Sequence, residues 1–173
     1  MKRRTCLTMI AMLPWVGASA IENDGARNVD MRGIGLVIVH ELAQGAANKE
    51  GLQGITETGA QLFASSTLNP KNRATGTYAG ATIPRWVRVT WREGMTAFLT
   101  DKTGHYATGK VVGDYTVQVL SRIPREAFDL ARAGRKRFLV LTFRIRDDGV
   151  DFGWMVRLQD GVPFVTLMQG GDL

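Results

Sequence analysis

The chain has 173 residues, 45% hydrophobic and 22% charged, which suits one domain able to bury a substantial core. Its formal charge of +6 reflects 22 Lys and Arg against 16 Asp and Glu; setting aside Lys2, Arg3 and Arg4 leaves 19 basic residues and +3, too slight an excess for a dedicated nucleic-acid binder. The single cysteine, Cys6, excludes an internal disulfide, and beyond residue 20 no segment is apolar over the ~20 residues a bilayer span needs.

Lys2, Arg3 and Arg4 form a positive leader, Cys6 to Val16 an apolar stretch, and Ala18-Ser19-Ala20 a small-residue cleavage site. This is the pattern of a secretory signal peptide cut before Ile21. Arg3-Arg4 followed by Thr5 and Cys6 resembles in part a twin-arginine signal, with the general secretory route as the default. Ile21, not a lipid-bearing cysteine, follows the cut. The expectation is a soluble protein in the periplasm or outside the cell, with residues 1–20 as signal and 21–173 as one β-rich domain.

Residues 21–32 are polar and read as a lead-in. Gly33 to Leu42 holds the short β-branched run Leu36-Val37-Ile38-Val39, which favours a strand over a helix. Residues 43–60, rich in Gly, Ala and polar side chains, leave a short helix and a long loop as the readings. Gln61 to Ala64 is a weak strand, and 69–80 an extended loop broken by Pro70, Gly76 and Gly80. Trp86 to Trp91 alternates cleanly, with Val87, Val89 and Trp91 on one face and Trp86, Arg88 and Thr90 on the other. Residues 101–106, with His105, read as a Gly/Thr-rich loop. Lys110 to Leu120 is another strand, with Tyr115, Val117 and Val119 opposed to Thr116 and Gln118.

Pro124 to Ala133 carries the start and stop signals of a helix: proline first, Glu126 in the first turn, Arg132 in the last, Gly134 beyond. Phe138 to Arg146 is a strand. Asp147-Asp148-Gly149 is a hairpin turn, Val150 to Leu158 the returning strand, and Gln159-Asp160-Gly161 a turn into Val162 to Met168, before a Gly170-Gly171 tail. The fold class is therefore α+β: mainly antiparallel sheet, a three-stranded meander in the C-terminal third, and one short helix packed on it.

Catalytic equipment is sparse. Two histidines and no cysteine beyond the leader are a poor start for a metal site, and His40 and Glu41, adjacent on a strand, point to opposite faces. The Gly-x-Ser-x-Gly elbow, the phosphate-binding Gly-Lys loop and the dinucleotide fingerprint are absent. Asp147 and Asp148 form a candidate acid–base pair, but Asp-Gly at a hairpin is favoured for its backbone geometry alone. His105, near Asp101 and Tyr106, is a candidate general base, with a solvated loop histidine as the reading that outweighs it. The reading is no catalytic residue, no metal and no cofactor.

Arginine and tryptophan carry the stronger signal, because they dominate binding hot spots. Arg85, Trp86, Arg88 and Arg92 cluster on or beside one strand, and Arg144 and Arg146 form a second stripe; these six are the candidate partner-binding residues. The stretch Ile83-Pro84-Arg85-Trp86-Val87-Arg88-Val89-Thr90-Trp91-Arg92-Glu93, with the helix and strand that follow up to Leu158, resembles small bacterial envelope proteins encoded beside type VI secretion effectors, among them immunity proteins against phospholipase effectors. The resemblance implies a periplasmic immunity protein that occludes a lipase-like toxin, with that effector as its protein partner and neither nucleic acid nor stable membrane insertion. Two further readings are a secreted enzyme using a carboxylate/His site, and an accessory envelope protein binding anionic surface polymers through its arginines.

Overall fold

The computed structural model describes residues 29–77, 82–101 and 104–173; the expected export signal, residues 1–20, lies outside the described residues. Eleven strands and one helix follow in chain order: β1 (Gly35–Leu42), β2 (Lys49–Thr56), β3 (Gln61–Leu68), β4 (Ala74–Thr77), β5 (Trp86–Glu93), β6 (Phe98–Asp101), β7 (Gly104–Ala107), β8 (Lys110–Gln118), α1 (Arg125–Arg132), β9 (Arg137–Ile145), β10 (Val150–Leu158) and β11 (Val165–Gly171). The fold is α+β and mostly antiparallel. One sheet has the order β11-β10-β9-β1-β4, a second β3-β2-β5-β8, and β6–β7 is a separate hairpin. The C-terminal meander β9-β10-β11 is antiparallel throughout. Among the described residues one pairing is parallel, β1 with β9, and it joins the first strand to the ninth.

Alternation decides what each sheet buries. In the five-stranded sheet, Leu36, Ile38 and His40 lie level with Leu139, Leu141 and Phe143. Val156, Trp154 and Phe152 continue those rows across β10. In the four-stranded sheet, Val87, Val89 and Trp91 pair with Val117, Tyr115 and Gly113. These faces meet in one core, which also takes Leu52 and Phe63 from β2 and β3. The Phe63 ring crosses to Phe143, centroids 5.1 Å apart, and Phe143 meets Phe152 at 5.4 Å. Each such side chain, removed from water, stabilises the fold by about 1.5–3 kcal/mol. Helix α1 adds Ala127, Phe128 and Ala131 to the same core, packed against β9 and β10. The turn before it (Leu120–Arg122) presents the Arg122 carbonyl to the Trp154 indole N–H at 2.9 Å, so the buried tryptophan keeps a partner.

Four local expectations change. Residues 43–60 contain neither a helix nor one long loop: Lys49–Thr56 is a central strand. Its glycines hide it, because a Cβ at Gly54 would sit 2.5 Å from the Phe63 ring, and Gly51 (φ +53°) would meet Ala107 at 2.6 Å. Strand propensity is overruled there by close approach. The 69–80 loop contains the edge strand Ala74–Thr77, which the free side of β1 holds in register from Val37 to His40. His105 lies on β7, not in a loop, facing Thr100 across the hairpin. Finally, β11 begins at Val165 rather than Val162 and takes in Gly170 and Gly171. A side chain at Gly170 would strike the Trp154 ring at 2.7 Å, and one at Gly171 would strike the Phe152 carbonyl at 2.3 Å.

Candidate functional site

Because Val87, Val89 and Trp91 turn inward, Trp86, Arg88, Thr90 and Arg92 turn outward on β5. The β8 register sets Gln118 beside Trp86, Thr116 beside Arg88 and Asp114 beside Thr90. Trp86 is half-buried, while Arg88, Asp114, Thr116 and Gln118 are exposed. The Arg88 guanidinium reaches diagonally to Asp114, with Nε donating to Oδ1 at 2.7 Å and Nη2 to Oδ2. This bidentate fork holds the Asp114 carboxyl below its ordinary value and raises Arg88 further. Its contribution to stability is small in open solvent; its effect is to fix the guanidinium plane on the outer face of β5.

The other candidates separate. Arg85 is exposed at the head of β5; its backbone is tied down, its N–H to Glu57 Oε1 at 2.9 Å and its carbonyl to the Val119 and Leu120 amides. Arg92 is drawn in beside Gly51 and Met95, donating from Nη1 to the Gly109 carbonyl at 2.8 Å, with Nε buried and unpartnered among the described residues. Arg144 and Arg146 belong to the other sheet, on the side away from the core, and so face the opposite way from Trp86. Arg144 donates twice to Glu41 Oε1, at 3.0 and 2.8 Å, and Glu41 also meets Arg73. Arg146 sits 3.1 Å from both Asp148 and Asp151. The two arginine stripes therefore form two surfaces, and the second is neutralised by its own carboxylates.

The acid–base candidates do not converge. Asp147 bonds Lys49 and accepts from the Ala47 N–H, and the Lys49 contact holds its carboxyl below the ordinary value. Lys49 is the unusual partner: its side chain is 6% exposed, and its ammonium lies 5.4 Å from the Trp91 ring centroid. The pair is a strap between the sheets, because Asp147 stands in the β9–β10 turn and Lys49 begins β2. Asp148 is occupied by Arg146. His105 stacks on Phe98 at 5.3 Å and shares a 2.7 Å hydrogen bond with Thr100 through Nδ1. Among the described residues no group of three or more His, Cys, Asp or Glu stands close enough to hold a metal ion, and no helix is long and apolar enough to cross a membrane.

Sequence reasoning did not single out Asp114, Thr116 and Gln118 as members of the Trp86 surface. The alternation of β8 puts Thr116 and Gln118 opposite Tyr115 and Val117, but only the β5–β8 pairing places them beside Trp86. It also missed His40 as a core residue, 4% exposed and stacked on Phe63 at 4.8 Å. Comparison of the chain with protein-family models, with characterised proteins and with solved structures gave no match.

Proposed function

We propose that the protein is an exported binding protein that neutralises a toxic secreted effector, a lipase or phospholipase, by covering it. The contact surface in this reading is the outward face of β5 and β8. The observation that carries it is a half-buried Trp86 sharing the outer face of β5 with Arg88, whose plane is fixed by Asp114, among the polar side chains Thr90, Thr116 and Gln118. Tryptophan and arginine are the residues most often found at the energetic centre of interfaces, and a side chain already held in place loses little freedom on binding. An inhibitor needs no reaction chemistry, only a firm scaffold and about 800 Å² of complementary surface. A two-sheet core supplies the scaffold, and the Trp86 row lies on the outer face of the four-stranded sheet.

The test is capture of a partner from lysate of the native host with the tagged protein, followed by an assay of the captured protein. A single stoichiometric partner with lipase activity, inhibited by added wild-type protein and released by Trp86→Ala or Arg88→Ala, supports the reading. A partner held equally well by both variants, or a partner whose activity is unaffected, removes it.

A further inference from the structure

Two connections meet at one end of the five-stranded sheet. The link from α1 to β9 carries Arg135 and Lys136, and the link from β10 to β11 runs from Gln159 to Phe164. Leu158 pairs with Arg137, and the Gln159 N–H donates to the Lys136 carbonyl at 2.9 Å, so the two links lie side by side.

Their chemistry is unusual for solvent-facing turns. Val162 is 94% exposed, and Phe164 and Val165 are exposed after it, with Pro163 between. Phe164 makes an edge-to-face contact with Phe138, centroids 5.6 Å apart, and stays 42% exposed. In the neighbouring link Arg135 and Lys136 are exposed and, among the described residues, make no ion pair. Arg137 turns inward to the Leu130 carbonyl. The nearby acid Asp129 is taken by Arg125 and Arg132, leaving Asp160 as the one acidic residue in the turn.

A protein partner is met by a flat or complementary patch whose apolar centre is ringed by polar groups. Here the apolar residues stand exposed in the β10–β11 link, and two exposed cations stand in the α1–β9 link beside it. That arrangement matches a bilayer surface, where apolar side chains enter the headgroup–acyl boundary by ~5–10 Å and basic residues stay at the level of the lipid phosphates. We propose that this end of the molecule docks reversibly on an anionic lipid surface, with Val162 to Phe164 dipping into the interface and Arg135 and Lys136 against the phosphates. The site lies on a different sheet from the Trp86 surface, so the protein can hold a membrane and a partner together.

The experiment is co-sedimentation with extruded vesicles, either phosphatidylcholine alone or three parts phosphatidylcholine to one part phosphatidylglycerol. All variants carry the same N-terminus, so differences between them report on this end alone. Wild type is expected on the anionic vesicles and not on the neutral ones, and to be released as salt shortens the screening length from ~10 to ~3 Å. Val162→Asp should release it with an unchanged melting temperature. Arg135→Ala and Lys136→Ala should each weaken binding about fivefold, and Trp86→Ala should leave it intact. Absence of wild type from the anionic vesicles overturns the proposal. So does equal retention on both vesicle types, or full retention of Val162→Asp together with the two alanine variants.

Discussion

His40→Leu tests whether the core is as dry around β1 as the geometry indicates. The imidazole is 4% exposed, stacked on Phe63, and neither ring nitrogen has a hydrogen-bond partner among the described residues. Burial alone pushes its pKa down from 6.5 to about 4, because the charged form loses its water and gains nothing. The folded value lies below the unfolded one, so the unfolded chain takes up the proton first. The contribution of His40 to stability is therefore intact above the unfolded value, declines as pH falls through that window, and levels off below the folded value. About 2.5 units at 1.36 kcal/mol each makes the loss roughly 3 kcal/mol across the window. Urea unfolding followed by tryptophan fluorescence, between about pH 7.5 and about pH 4, measures it. The leucine variant should match or exceed wild type at neutral pH, since it also removes two unpartnered polar atoms, and its advantage should grow by about 3 kcal/mol at the acid end. Depressed carboxylates such as Asp114, Asp147 and Asp172 are common to both proteins and cancel in the difference. Parallel loss of stability in the two proteins would refute the reasoning, because it would mean that His40 is protonated as easily folded as unfolded.

Three other substitutions follow from the packing. Gly113→Ala places a Cβ about 2.0 Å from the Trp91 ring, which lies between Tyr115 and the Lys49 ammonium; the expected cost is about 1–3 kcal/mol, read as a lower urea midpoint with an unchanged slope. Asp147→Ala should lower the melting temperature by stranding the buried Lys49 ammonium, whereas adding Lys49→Met to it should recover most of the loss; equal melting temperatures for Asp147→Ala and wild type would show that the strap carries no stability. Asp172 is held below its ordinary pKa first by the Arg122 hydrogen bond and then by the Phe152 N–H, so its contribution is present above the unfolded value of 3.8 and lost as pH falls below it. Asp172→Asn should speed amide exchange at Phe152 and along β11 at neutral pH, while leaving exchange in β5 unchanged.

What could be read from the sequence depended on whether the decisive contacts were local. The Trp86–Trp91 alternation, the Pro124–Gly134 helix signals and the Asp-Asp-Gly turn are each settled within one short stretch of chain, and each element appears where those residues put it. Strand β2 failed because its identity rests on distant side chains: Gly51 and Gly54 are glycines on account of Ala107 and Phe63. The parallel union of β1 with β9 has no local sign at all, since the residues between Leu42 and Arg137 carry no mark of which strand will lie alongside.

The same distinction governs the surfaces. A row on one strand, such as Trp86, Arg88 and Thr90, can be read from period two. What that row can bind depends on its neighbours across the ladder, and Asp114 turns Arg88 from a mobile cation into a fixed plane. Arg144 and Arg146 looked like an equivalent stripe, but Glu41, Asp148 and Asp151 occupy them. Arg135 and Lys136 sit in the short link after α1; the exposed apolar turn beside them is brought there by the β9–β10 pairing. Charge counted along the chain thus ranked the stripes by number, whereas the folded protein ranks them by which cations are left without a carboxylate. On that ranking Arg135 and Lys136, exposed and without a carboxylate among the described residues, stand out because an exposed apolar turn lies beside them, the pairing an anionic lipid surface would meet.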